Sequence, residues 1–214
     1  MAAAIAITVF LGFAPTYYLR PADAPLLTTI THVHGVAFTL WIVWFAAQVS
    51  LVAVGRRDFH RRVGLAGAGL AVAMVVLGWM VAIAAARREI LAGQGDEALA
   101  FLIVPLGDVI TFAVLIAAGL WYRPTAGLHR RLMLLATLAI LPAAIGRMPG
   151  FDAPVLFVPY YLALVMAQPI HDWWLSGRPH PLSLWGGLAI VVSVVARFFA
   201  QHSAWWLAIA ERLV

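Results

Sequence analysis

Long apolar runs separated by short polar turns make up nearly the whole chain. Most of these runs are close to the roughly 20 residues that a helix needs to cross the hydrocarbon core of a bilayer. The pattern predicts an all-α fold, an integral membrane bundle of about seven transmembrane helices, with residues 1–214 as a single transmembrane helical domain. The predicted helices are Ala2–Tyr18, Leu26–Val54, Val63–Ala86, Phe101–Tyr122, Leu132–Ile145, Pro154–Trp174 and Leu184–Ile209.

Arginine is distributed unevenly between the two ends of these predicted helices. Threading the chain back and forth across a membrane collects eight arginines on one side and five on the other. Because cytoplasmic loops carry the excess of basic residues, we expect the amino terminus in the cytoplasm and the carboxyl terminus outside, in a bacterial inner membrane. The larger set is Arg56, Arg57, Arg61, Arg62, Arg123, Arg130, Arg131 and Arg178, and the smaller is Arg20, Arg87, Arg88, Arg147 and Arg212.

Composition removes several kinds of protein and cofactor. Hydrophobic residues make up 64% of the chain and charged residues 11%, which leaves no room for a soluble catalytic domain. The net charge of +5 comes from arginine alone, and without lysine neither retinal nor pyridoxal phosphate can form its Schiff base. Absence of cysteine excludes Fe–S clusters and c-type haem. The arginines lie at helix ends, where they meet lipid phosphates, so the expected partner is the lipid bilayer and not nucleic acid.

A few ionisable side chains interrupt the outer halves of the predicted helices. Such groups are costly in lipid and mark functional positions when they face the bundle. Arg197 needs a buried partner, and Asp108 is the intramembrane carboxylate that the sequence offers. We expect this pair, with Gln201 and Gln48, to be structural or to form a proton path. His34, Asp108 and His202 are the candidate ligands of an alternative copper or zinc site.

Further histidines lie toward the arginine-rich side, at helix ends. Histidines at two depths of a helical bundle favour b-type haem, because neutral imidazoles supply both axial ligands. The structural alternatives are an interhelical hydrogen bond for His34 and contact with lipid phosphates for the histidines that open helices. The haem-ligand candidates are His34 and His202 in the outer layer and His60, His129 and His171 in the inner layer.

Three sequence features in helix two and the following turn suggest a family. These are His34 within helix two, Gln48 toward its far end, and the turn His60-Arg61-x-x-Gly64. This pattern, over about residues 31–80 and more faintly at His129 and Arg130, resembles small bacterial multi-pass membrane families such as the DUF2306 group. More loosely it is similar to cytochrome b561 and haem A synthase, and this likeness implies paired histidines that ligate haem iron from facing helices.

Three functions are consistent with these observations. The first is a haem b-binding or redox-linked membrane protein that carries out one-electron transfer, with a quinone as candidate partner. The second is a non-catalytic accessory or assembly subunit that packs against other membrane subunits or its own copies. The third is a metal or small-solute transporter that uses an outer cluster of His34, Asp108 and Arg197. Whether the chain is an enzyme stays open, because HExxH, GxSxG and paired-carboxylate motifs are missing.

Overall fold

The computed structural model describes residues 1–151 and 154–214, and within these ranges all regular elements are helical. A π-helical turn, Ala14–Tyr18, continues the first α-helix. The α-helices are α1 Ala2–Phe13, α2 Thr29–Ala53, α3 Arg57–Leu91, α4 Gly95–Phe101, α5 Ile103–Trp121, α6 Ala126–Ala139, α7 Pro142–Ile145, α8 Pro154–Ser176, α9 Pro181–Ala200 and α10 Ala204–Leu213.

Several segments have the length and composition of membrane helices, as in an integral membrane protein. Their outward faces are apolar: Leu65 and Phe199, for example, are 71% and 85% exposed. An apolar surface of this extent is stable against lipid and not against water. The predicted all-α class is confirmed for the described residues. Five segments among them are long and apolar enough to cross a membrane: Thr29–Ala53, Arg57–Leu91, Gly95–Trp121, Ala126–Ile145 and Pro181–Ala200.

Glycines, and not charged residues, end α2 and α3. Gly55 and Gly93 have φ of 78° and 85°, a left-handed conformation that favours glycine and commonly terminates helices. The polar turn predicted between the second and third helices therefore lies mostly inside α3, which begins at Arg57. The segment between the predicted third and fourth helices, residues 87–100, is likewise mostly helical, and only residues 92–94 separate α3 from α4.

The last predicted helix, Leu184–Ile209, is wrong as a continuous element. Helix α9 ends at Ala200. The Ser203 hydroxyl donates to the Ala200 carbonyl at 2.6 Å, and the Ser203 backbone is extended. Helix α10 then packs against α4, and the Trp206 indole N–H donates to the Leu99 carbonyl at 2.9 Å. Ser203 is the N-cap residue of α10, and its hydroxyl bond to Ala200 ties the turn to the end of α9.

The predicted fifth helix is interrupted at the proline that it contains. Pro142 has no N–H to donate to the preceding turn, and α6 ends at Ala139 with α7 beginning at Pro142 itself. Both short helices remain part of one apolar segment.

The longest helices pack side by side into one core. Helix α2 packs against α3, α3 against α5, α5 against α6 and α9, and α8 against α9. The end of the bundle where α2, α5 and α8 finish and α3, α6 and α9 begin is called the arginine-rich end below, and the opposite end is called the far end. The core between them is closed by large buried side chains, among them Met74, Phe112, Leu135, Leu138 and Val165.

Candidate functional site

Two of the predicted haem-ligand histidines meet at the arginine-rich end. His60 lies in the first turn of α3 and His129 in the first turn of α6, and both are half-buried. Their ring centroids are 6.2 Å apart and their planes are inclined at 76°. Two imidazoles that bind one metal atom from opposite sides, at about 2.0 Å from each nitrogen, have ring centres roughly 6 Å apart. The spacing of this pair therefore fits shared coordination.

A backbone hydrogen bond fixes the ring of His129. Its Nδ1 lies 2.7 Å from the Gly119 carbonyl oxygen on α5. Because a carbonyl can only accept, Nδ1 must carry the proton, and the neutral ring then has a free lone pair on Nε2. Histidines that ligate metals are commonly held by a hydrogen bond of this kind on the other ring nitrogen.

Three buried polar atoms between α2 and the first half of α3 lack a hydrogen-bond partner in the described part of the chain: Trp44 Nε1, Gln48 Oε1 and His60 Nδ1. Trp44 and Gln48 lie one turn apart on α2 and face α3. The Trp44 Nε1 lies against the backbone of Gly67, and the His60 ring lies near the backbone carbonyl of Gln48. We call Trp44, Gln48 and His60 the α2–α3 polar cluster. Since nearly all buried polar groups in proteins are paired, these three unpaired ones, which lie in the same interface as the unpaired His34 Nδ1, need an explanation.

The remaining histidine of the predicted inner layer lies elsewhere. His171 is exposed near the end of α8, so the structure brings together two of the three inner candidates. His180 has a structural role, because its Nδ1 accepts from the Leu182 N–H at 3.2 Å and caps α9. On α8, Gln168 also has a buried side-chain oxygen without a partner among the described residues.

The predicted pairing of Asp108 with Arg197 is confirmed. The Arg197 Nη2 donates to Asp108 Oδ1 at 2.7 Å, and its Nη1 donates to the Val104 carbonyl at 2.8 Å. Its Nε donates to the Ser193 carbonyl at 3.1 Å. The guanidinium lies against Gly107, where any side chain would occupy its place. The pair joins α5 to α9 and is buried.

The other members of the predicted outer layer are not part of this pair. His34 is half-buried near the Leu77 carbonyl of α3, stacked on Phe38 with ring centroids 4.1 Å apart. Gln201 and His202 form the turn after α9, and His202 is exposed.

The three residues predicted as a copper or zinc site are therefore not assembled. In residues 1–151 and 154–214 no three histidine or acidic side chains are grouped so that they could hold a metal ion. The reason is the direction of the side chains, because Asp108 faces α9 while the next residue, Val109, faces α3. His34, on the α3 side, is thereby separated from Asp108. Of the residues that the predicted transporter would use, Asp108 and Arg197 are paired with each other, and the transporter function stays a prediction.

A second buried ion pair was missed in the sequence. Arg131, predicted among the interfacial arginines, is only 6% exposed. Its Nη2 donates to Asp172 Oδ1 at 2.6 Å, and its Nε lies 3.3 Å from Asp172 Oδ2 and 3.0 Å from Ser183 Oγ. The Ser183 hydroxyl donates to the same carboxylate at 2.6 Å. This network joins α6, α8 and α9.

The signal for this network was the helical spacing of Arg131. Arg131, Leu135 and Leu138 lie four and three residues apart on one face of α6, and the two leucines are fully buried. An arginine in register with such a stripe is expected to point inward with it.

Comparison of the chain with protein-family models, with curated proteins and with solved structures found no match.

Proposed function

We propose that this chain is a seven-span protein of the bacterial inner membrane, with its arginine-rich end in the cytoplasm. Two helical segments add to the five long apolar ones: α1 with its π-helical turn, and the 23-residue helix α8. Both are apolar, and α8 contains two interior prolines, Pro159 and Pro169. The excess of arginine at the ends of α2, α5 and α8 supports the orientation, with the amino terminus inside and the carboxyl terminus outside.

We further propose that the protein binds b-type haem through His60 and His129 and acts as a one-electron carrier. The observation that carries this proposal is the facing pair of imidazoles, with ring centroids 6.2 Å apart. Bound there, the haem would supply a reversible one-electron couple whose potential the protein sets through its axial ligands and their hydrogen bonds. The bond from His129 to the Gly119 carbonyl orients one ligand and raises its basicity.

The residues around the pair also fit such a group. Haem of the b type carries two propionates, and the sequence places Arg61 and Arg62 directly after His60 and Arg130 directly after His129. These arginines are exposed at the arginine-rich end, where a charged edge of a ligand would meet water. Arginine pairs with carboxylates through two parallel hydrogen bonds, which would fix the orientation of the bound group.

The test is the visible spectrum of the purified protein after expression with adequate haem. We expect a pyridine haemochrome of the b type, lost in His60→Ala and in His129→Ala because each removes one axial ligand. The matched control is His32→Ala, since His32 is exposed at the start of α2, away from the pair. A wild-type protein without haem, or a His60→Ala/His129→Ala double variant that keeps the wild-type haem content, would refute the proposal.

A further inference from the structure

The α2–α3 polar cluster presents unpaired hydrogen-bonding groups of complementary kinds. Trp44 Nε1 is a donor only, Gln48 Oε1 is an acceptor, and a neutral His60 can donate or accept at Nδ1. All three atoms are enclosed, and each belongs to an uncharged side chain. A ligand that satisfies them must therefore be neutral and must offer both an acceptor and a donor.

We propose that the α2–α3 polar cluster binds the hydroxyl-bearing ring of a lipid-soluble quinol. A quinol hydroxyl accepts the hydrogen bond of the Trp44 indole through its oxygen and donates its own hydrogen to Gln48 Oε1. Quinone, the oxidised form, has carbonyl oxygens only and leaves Gln48 without a donor. The site thus favours the reduced form of the ligand.

The position of the cluster suits a ligand that arrives through the membrane. Trp44 and Gln48 lie in the second half of α2, in one of the segments that are apolar enough to span a bilayer. Their neighbours on the outward face of that helix, Val43 and Ala47, are exposed. A ring compound with an apolar tail would reach the cluster from this lipid-facing side without crossing water.

Glycine makes room for the aromatic member of the cluster. A Cβ at Gly67 would collide with the Trp44 indole at Nε1, so the indole edge can approach α3 only because that position has no side chain. Beside His60, the turn between α2 and α3 encloses an open depression of about 300 Å³, lined in part by Phe59 and Arg62. Trp44, Gln48 and His60 do not line this depression, so a ring that reaches them must enter from the lipid-facing side of α2.

This inference gives the proposed one-electron carrier its redox partner and in that sense rests on the proposed function. Binding itself does not require haem, because the Trp44 and Gln48 groups are not imidazole ligands. His60 belongs to both sites: it would bind iron through Nε2 and leave Nδ1 for the quinol.

The experiment is a binding titration of the full chain in phosphatidylcholine nanodiscs with a decyl-benzoquinol kept reduced. Trp44→Phe keeps an aromatic ring but removes the N–H, and Gln48→Leu removes the amide at similar volume. We expect each to raise Kd about tenfold, as for the loss of one hydrogen bond to a buried group. The matched control is Gln168→Leu, which removes the same unpaired amide from α8, a helix that packs against α9, α6 and α7; its Kd should equal that of the wild type.

Two results would overturn the inference. One is a wild-type protein that takes up no more quinol than empty nanodiscs do, which would leave water as the occupant of the cluster. The other is an unchanged Kd in both Trp44→Phe and Gln48→Leu. His129→Ala separates this site from the haem proposal, since it should abolish the haem spectrum and retain quinol binding. Quinol binding by a wild-type protein that never takes up haem would refute the haem function alone.

Discussion

The two sides of the bundle differ in how their buried polar groups are satisfied. Where α5, α6, α8 and α9 meet, four charged residues form two ion pairs, and hydroxyl or backbone groups complete both. Where α2 packs on α3, four of the five partnerless buried polar atoms of the described chain occur, on His34, Trp44, Gln48 and His60. Closed networks stabilise a fold, whereas unpaired buried groups destabilise it unless a ligand or water binds them. The contrast favours a structural role for the ion pairs on α8 and α9, and it is the reason for proposing the ligand site between α2 and α3.

The largest effect is expected where α5, α6, α8 and α9 meet, which we call the closed side. Asp172→Ala leaves the Arg131 guanidinium buried without its carboxylate, and such a change typically lowers the free energy of unfolding by about 3–5 kcal/mol. The double variant Arg131→Met/Asp172→Ala removes both charges and should recover most of this loss. Reversible unfolding in mixed micelles measures both. If Asp172→Ala loses less than about 1 kcal/mol, the network does not hold the three helices together.

A smaller effect is expected at the glycine beneath the α2–α3 polar cluster. Gly67→Ala forces the Trp44 indole to move, and overpacking of this kind lowers the free energy of unfolding by about 1–3 kcal/mol. Gly69→Ala is the matched control on the same helix, because open space surrounds that position. It should leave the stability unchanged or raise it by up to about 1 kcal/mol, the helix preference of alanine over glycine. Equal effects of the two substitutions in the same unfolding assay would mean that the indole is not held against α3.

The smallest effect distinguishes an unpaired polar group from a paired one. Gln48→Leu in the ligand-free protein should leave the free energy of unfolding unchanged or raise it by about 1 kcal/mol, because it removes a buried group that has no partner. Thr137→Val is the comparison on the closed side, where the Thr137 hydroxyl accepts from the Trp41 indole at 3.3 Å and donates to the Met133 carbonyl at 2.9 Å. It should lower the stability by about 1–2 kcal/mol. Should both variants lose the same amount, the two sides would not differ.

The sequence was sufficient to predict the features that depend on composition and on the small number of charged residues within the apolar segments. Long apolar runs are sufficient to predict membrane helices, and Asp108 was found as the partner of Arg197 because lipid leaves a buried arginine few choices. Helix ends were predicted less well, since charged residues mark an interface but are compatible with helix, and α3 continues through several of them. The ends depend on Gly55 and Gly93, whose backbone conformation a hydropathy pattern does not contain.

The candidate site was predicted in part for a similar reason. His60 and His129 were named from residue type, and their meeting depends on how two turns fold back at the same end of the bundle. The errors have two causes. The Arg131 side chain turns inward although Arg131 was counted with the exposed arginines. His202 lies in a turn and not in the predicted helix. The unpaired state of Trp44 and Gln48 could not be read from sequence, because it is a property of the packing between α2 and α3.

The attachment of α9 at two points has a mechanical consequence. Ser183 joins its beginning to Asp172, and Arg197 joins its end to Asp108, with 14 residues or about 21 Å of helix between them. A helix held at one point can rotate or slide about it. A helix held near both ends can do neither unless one of the two contacts breaks. We therefore expect α5, α8 and α9 to move as one frame, so that a motion which admits the proposed ligand would occur at α2 and α3.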